Sequence, residues 1–102
     1  MPLPLIAVIL AVAGTLAVVV VAILYYEEII KWFRSRNDIK EADKANIAFT
    51  IKQRLNSGDY KIVQGIFNKR NETILDGHVI QAKELDKDLA DAHEGKELVL
   101  YE

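Results

Sequence analysis

The chain contains no cysteine, only two prolines and a single tryptophan among its 102 residues. Without cysteine it cannot form disulfides, thiolate metal sites or a cysteine nucleophile. No charged side chain precedes Glu27, so all 13 basic and all 15 acidic residues follow Tyr26. The sequence therefore divides into an uncharged beginning and a strongly charged remainder.

Motifs for catalysis and metal binding are missing as well. The sequence has no P-loop, no G-x-G-x-x-G turn and no G-x-S-x-G elbow. The two histidines, His78 and His93, lack partners at the spacing that zinc sites use. The acidic run from Asp86 to Asp91 lacks the glycine and the terminal glutamate of a calcium-binding loop. We therefore expect no enzyme activity, no bound metal and no cofactor.

The uncharged beginning is a long apolar run, LPLIAVILAVAGTLAVVVVAILYY, at residues 3–26. As a helix it would be about 36 Å long, enough to cross a hydrocarbon core of about 30 Å. The run is longer than the core of a cleaved signal peptide, and no basic residue precedes it. The sequence thus predicts that residues 1–26 form a retained transmembrane helix.

Basic and aromatic residues at the end of this run predict its orientation. Because basic residues flank only the C-terminal end, the positive-inside rule places the N-terminus outside and the following domain in the cytoplasm. A bacterial inner membrane is the expected location, with residues 27–38 as a juxtamembrane segment. The predicted lipid-interface residues are Tyr25, Tyr26, Lys31, Trp32, Phe33, Arg34, Arg36 and Lys40.

Small side chains recur on one side of the predicted transmembrane helix. At 100° per residue, Ala7, Ala11, Gly14, Thr15 and Ala22 share a face. Such faces let two membrane helices approach closely, so these residues are predicted to pack against another helix. The pattern fits self-association and association with another protein equally, and alanine is also simply common in membrane helices.

Residues 39–102 are predicted to form a small domain that begins with a helix. A break near Asp38 precedes helical spacing over 39–55, which ends at Asn56-Ser57-Gly58. Apolar positions on this helix are predicted to dock a partner protein. These docking residues are Ile47, Phe49, Ile51 and Leu55.

The rest of the domain alternates strands with one helix. Residues 60–67 and 73–82 predict two antiparallel strands, 84–93 a helix and 98–101 a last strand. The fold class predicted is therefore a single-pass transmembrane α-helix followed by a small α+β domain, in the order α-β-β-α-β, with a three-stranded, mostly antiparallel sheet. Asp76-Gly77 leaves two interpretations open: a bulge in a continuous strand, which we favour, or a hairpin turn.

Three functions are compatible with these features. The first is a non-enzymatic accessory, assembly or scaffold component that uses the packing helix and the docking domain. The second is a membrane-tethered regulatory or ligand-sensing domain, which requires a pocket between helix and sheet. The third is a protein that binds anionic lipid surfaces through residues 31–40. The expected partners are membrane lipid and a protein partner or a second copy, and the net charge of −2 argues against nucleic acid.

Overall fold

The computed structural model describes residues 4–101 as one mixed sheet with helices on both faces. The strands are β1 Val18–Leu24, β2 Asn46–Arg54, β3 Tyr60–Asn68, β4 Thr73–Leu85 and β5 Leu98–Tyr101. The helices are α1 Leu5–Val12, α2 Tyr26–Ser35, α3 Asn37–Glu41 and α4 Lys87–Ala92, and one 3₁₀ turn at Ala13–Thr15 follows α1.

The five strands lie in the order β1-β4-β3-β2-β5. β2, β3 and β4 form an antiparallel meander at the centre, and β5 pairs antiparallel with β2 at one edge. β1 lies at the other edge and runs parallel to β4, with Val18 opposite Val79. The connection from β1 to β4 therefore contains α2, α3 and two strands of the meander.

Each face of the sheet has its own apolar core. On the first face, α1 packs through the buried Ile9 against Phe49 of β2 and Phe67 of β3. On the second face, Ile29 of α2 and Leu89 of α4 are fully buried in one cluster. Because both faces are covered, β3 and β4 carry apolar residues on both sides.

Within residues 4–101, no helix combines the length and the apolar composition that crossing a membrane requires.

The predicted single-pass fold, the membrane location and the orientation derived from it are therefore wrong. The apolar run is divided between α1, the 3₁₀ turn and β1, while Leu3, its first residue, lies outside the described residues. Residues 18–21 are four consecutive valines, and β-branched side chains favour strands over helices. The length of the apolar run alone misled the prediction, because the run does not form one continuous element.

The helix predicted over 39–55 is also wrong. The short α3 ends at Glu41, and β2 occupies most of the remaining residues. The prediction relied on the spacing of Ile47, Ile51 and Leu55, but a spacing of four is an even number. It therefore places residues on one face of a strand as well as of a helix. Gly58 does have a left-handed φ of 93°, although the turn it forms joins β2 to β3.

The sheet consequently has five strands instead of three, and the chain forms a small α+β domain. The strands predicted at 60–67, 73–82 and 98–101 are present as β3, β4 and β5. The last predicted helix is shortened to the six residues of α4. The two additional strands, β1 and β2, are the segments that had been assigned to helices.

The Asp76-Gly77 dipeptide lies inside β4 and makes no hairpin turn. Ile66 pairs with Asp76 and Phe67 with Ile74, so Leu75 is the extra residue of a bulge that directly precedes the dipeptide. Gly77 lies opposite Gly65, and a Cβ on Gly65 would come within 2.8 Å of the Asp76 carbonyl oxygen. The two glycines thus permit close backbone packing beside the bulge.

Candidate functional site

A cavity of about 570 Å³ lies between α2 and the second face of the sheet. β1 and β4 form its floor with Val19, Val21 and Ile80, and α2 forms its wall with Trp32. α2 crosses the sheet above β3 and leaves β1 partly uncovered, so Val19 remains 45% exposed. The cavity therefore opens toward the β1 edge.

A single carboxylate fixes the helix that walls the cavity. Oδ1 of Asp86 accepts hydrogen bonds from the backbone N–H of Tyr26 at 3.0 Å and of Leu89 at 2.9 Å. Asp86 thereby caps α4 and at the same time holds the first turn of α2. Two helix N-termini that would otherwise have unpaired donors are joined at one point.

Gln64 of β3 connects α2 to the base of the cavity. The Ile29 carbonyl can only accept, so the Gln64 amide nitrogen donates to it at 2.9 Å. The Gln64 amide oxygen then faces His78 of β4, 2.7 Å from its Nε2. Because this oxygen only accepts, Nε2 of His78 carries the proton.

The imidazole of His78 therefore presents an unprotonated Nδ1. Burial lowers the pKa of His78 from its ordinary 6.5, and the positive charge of Arg36 adds to this effect, while Asp76 opposes it. The ring is thus neutral at pH 7. Within residues 4–101 no hydrogen bond reaches Nδ1, which leaves one acceptor for a ligand at this site.

Trp32 contacts both this imidazole and a guanidinium group. Its ring centroid is 5.0 Å from that of His78, and Cζ of Arg36 is 4.1 Å from the Trp32 ring. Nε of Arg36 donates to Asp76 at 2.8 Å, and Nη1 donates to the Ser35 hydroxyl at 2.6 Å. Since a guanidinium has five N–H groups, these two bonds leave further donors toward the cavity.

Cations outnumber carboxylates among the residues that line the cavity. Lys31 and Arg36 line it together with Glu28, and Asp76, which is not a lining residue, pairs with Arg36 at 2.8 Å. Apolar floor, aromatic wall and two cations together form a site suited to a small, partly apolar anion. Ser35 carries the one aliphatic hydroxyl among the described lining residues, and this hydroxyl donates to the Trp32 carbonyl at 2.7 Å.

A second polar cluster lies farther along the same face, and two of its three side chains are fully buried. The Lys96 carbonyl accepts from Nδ1 of His93 at 3.2 Å, so Nε2 accepts from the Thr50 hydroxyl at 2.7 Å. The Thr50 oxygen in turn accepts from the Tyr101 hydroxyl at 2.7 Å. Thr50 and His93 are both 0% exposed, so no ligand reaches them. The chain of hydrogen bonds joins β2, β5 and the end of α4 and is structural.

An ion pair ties the turn before β2 to the turn after β3. Asp43 accepts from both terminal nitrogens of Arg70, at 2.8 and 2.6 Å, and from the Ala45 backbone N–H at 2.9 Å. The Arg70 guanidinium is the main cause of a pKa of Asp43 well below its usual range. Asp43 therefore stays charged well below the pH of about 4 at which an ordinary aspartate takes up a proton.

The two histidines predict how stability depends on pH between 7.5 and 5. Burial lowers the pKa of His93, as it does for His78, from 6.5. As the pH falls through about 6.5, each histidine takes up a proton in the unfolded chain but not in the folded protein. The free energy of unfolding therefore decreases as the pH decreases. Thermal unfolding by circular dichroism should show this fall, and a smaller one in the His93→Gln variant. Asp43 titrates below this range, and identical pH profiles for the two proteins would contradict the assignment.

Of the eight predicted lipid-interface residues, four surround the cavity: Tyr25, Lys31, Trp32 and Arg36. Phe33 lies on the sheet, with its ring centroid 4.8 Å from that of Tyr101. Tyr26 and Arg34 also belong to α2, and Lys40 lies in α3. The aromatic residues predicted to lie at a lipid interface, Trp32 and Phe33, therefore contact residues of the sheet.

The predicted helix-packing residues do not share a helix. Ala7 and Ala11 lie on α1, Gly14 and Thr15 in the 3₁₀ turn, and Ala22 on β1, and all five are exposed.

The predicted docking residues lie on β2 and in the turn that follows it. Phe49 and Ile51 are fully buried in the first core, whereas Ile47 and Leu55 are half-buried. Sequence reasoning missed Gln64 and did not connect His78 with it. Gln64 could have been noticed as a polar residue at an inward position of a strand that is otherwise apolar.

No protein-family description, no curated protein and no solved structure matches the chain.

Proposed function

We propose that the protein is a non-enzymatic binding domain that holds a small aromatic carboxylate in the cavity between α2 and the sheet. The cavity itself supports this most, because its volume of about 570 Å³ falls within the range of about 300–1,000 Å³ typical of ligand sites. Its apolar floor and few convergent polar groups are also typical of such sites. Of the functions predicted from the sequence, the ligand-sensing one required a pocket between helix and sheet.

The lining residues favour a particular ligand chemistry. Val19, Val21 and Ile80 favour an apolar body, and the Trp32 ring favours a planar one. The cations of Lys31 and Arg36 favour a carboxylate. Nδ1 of His78 accepts a hydrogen bond, so a hydroxyl on the ligand would be recognised as well. A hydroxylated aromatic acid combines these three properties.

Binding is favoured over catalysis by the state of the polar groups. The Ser35 hydroxyl donates to a backbone carbonyl and faces no base, so it is not activated as a nucleophile. Both ends of the Gln64 amide are already engaged. The assembly or scaffold role stays a prediction, and two of its proposed contact residues, Phe49 and Ile51, lie in the core.

The proposal is tested with 4-hydroxybenzoate, benzoate and 4-hydroxybenzamide as probes. Trp32 is the sole tryptophan of the chain, so its fluorescence reports directly on the cavity. We expect 4-hydroxybenzoate to change this fluorescence in a saturable way, and to bind more tightly than the other two probes. Saturation-transfer NMR gives an independent measure of the same affinities.

Three variants locate the binding. Lys31→Ala should weaken 4-hydroxybenzoate about three- to fivefold, the effect of one exposed charge, and Val19→Phe should abolish binding by filling the cavity. Lys83→Ala, an exposed lysine on β4 away from the cavity lining, is the matched control and should change nothing. No saturable response to any probe, or an equal effect of Lys31→Ala and Lys83→Ala, would refute the proposal.

A further inference from the structure

The outer edge of β1 is apolar and uncharged over its whole length. In the described part of the chain no strand lies beyond β1. Its seven residues, VVVVAIL, include no lysine or proline, the usual protection of an exposed edge. Val18 is 60% exposed and Val20 is 72% exposed. An edge of this kind is a template for another strand.

The opposite edge of the sheet differs in both length and charge. β5 has four residues, and Lys96 and Glu97 directly precede it. Short strands and nearby charges are common means of discouraging edge pairing. Only one of the two described edges, β1, is therefore open to a partner strand.

We propose that β1 pairs antiparallel with β1 of a second copy of this chain, about a twofold axis. The valine-rich strand requires a partner strand without charge, since a charged side chain beside it would lose water. A twofold axis supplies such a partner by placing each uncharged strand against its own copy. Pairing of β1 of one copy with β5 of another would instead bring Lys96 and Glu97 beside the valines. Such a head-to-tail contact would not form a closed dimer.

The backbone of β1 is arranged for this pairing. The Ala17 carbonyl accepts from the Val79 N–H at 2.8 Å, so the backbone groups of Ala17 point toward β4. Backbone direction alternates along a strand, and those of Val19 and Val21 therefore also point toward β4. Val18 and Val20 direct their N–H and C=O groups to the open edge, where a second strand can pair with them.

The pairing also bears on the cavity, although it does not depend on ligand binding. Val19, Val21 and Ile23 of β1 line the cavity at its open side. In-plane pairing about a twofold axis places the cavities of both copies on the same face, on either side of the joined strands. Each copy therefore extends the floor of the other's cavity beyond β1.

The area buried between the two β1 strands indicates how tightly the dimer associates. Seven residues of strand span about 23 Å. A single strand pair of this length is smaller than a standard interface of about 800 Å² per partner. We therefore expect a weak dimer with a Kd in the micromolar range.

Sedimentation velocity of the full chain between about 1 and 200 µM tests the proposal. Wild type should change from monomer to dimer over this range. Val20→Lys should raise the Kd at least about tenfold, because it places a charge beside the uncharged strand of the partner copy. Leu100→Lys is the matched control, since Leu100 is 52% exposed on the other edge strand, and it should leave the Kd unchanged.

Backbone hydrogen exchange of wild type gives a second measurement that needs no variant. The amides of Val18 and Val20 should become more protected as the protein concentration rises, while those of β5 should not. Several results would overturn the proposal: a monomer at every concentration, growth beyond a dimer, or equal effects of the two lysine variants. If circular dichroism shows that Val20→Lys does not fold, Val18→Lys replaces it. Hydrogen exchange at the Val20 amide of wild type then decides whether β1 pairs with a second copy.

Discussion

Replacing Phe49 with alanine is expected to lower the free energy of unfolding by about 3–5 kcal/mol, the usual cost of truncating a buried phenylalanine. The Phe49 side chain is fully buried between α1 and the sheet. Two of its ring carbons lie 3.2 Å from the place where a Cβ of Gly65 would be. Since Gly65 has no side chain to fill the space, the variant would retain a cavity there. A loss of this size is a large fraction of the roughly 5–15 kcal/mol that stabilises most domains.

Urea unfolding followed by circular dichroism measures this loss. Leu100→Ala is a suitable control because Leu100 pairs with Phe49 in the sheet register but is half exposed. Its truncation should change stability by less than about 0.5 kcal/mol, as is usual for exposed sites. A loss below about 1 kcal/mol for Phe49→Ala would instead agree with the surface position that the sequence had suggested for this residue.

The strands that the sequence predicted correctly have strong local signals. β3 begins after the Asn56-Ser57-Gly58 turn and is rich in β-branched and aromatic residues, and it ends at a polar turn. Turn residues and β-branched composition are signals that can be recognised from the neighbouring residues alone. The same holds for β5, which follows the left-handed Gly95.

Of the two strands that the sequence missed, β1 depends on a partner far along the chain, whereas β2 pairs with the neighbouring β3. β1 pairs with β4, about 60 residues away, and residues 18–24 alone fit a membrane helix equally well. In β2, Ile47, Phe49 and Ile51 face the first core and alternate with Asn46, Ala48, Thr50 and Lys52. This alternation is a strand pattern, but the even spacing of Ile47, Ile51 and Leu55 fits one face of a helix as well.

The candidate site was accessible from sequence only in part. The cluster of Trp32 and neighbouring cations in α2 was visible as an amphipathic segment. Its contact with Gln64 and His78 was not, because it requires α2 to cross the sheet above β3. α2 has an apolar stripe that must be covered. This stripe led to the prediction of a lipid interface, and in the structure it is the sheet that covers it.

A pair of proline substitutions distinguishes the strand β1 from the helix that the sequence suggested. The N–H of Val21 points toward β4, so Val21→Pro removes a hydrogen bond of the ladder and leaves a carbonyl of β4 without its donor. We expect this variant to lose about 2–4 kcal/mol of stability. The N–H of Val20 points to the open edge, so Val20→Pro should cost less than about 1 kcal/mol.

Urea unfolding of both variants, measured at low micromolar concentration to keep them monomeric, gives the comparison. In a helix every N–H in this region would bond to the carbonyl four residues earlier, and proline at either position would be equally damaging. Equal losses for Val20→Pro and Val21→Pro would therefore contradict the strand, whereas alternation between adjacent residues is specific to it. Because β1 lines the cavity and provides the open edge, this alternation also tests the element on which both proposals depend.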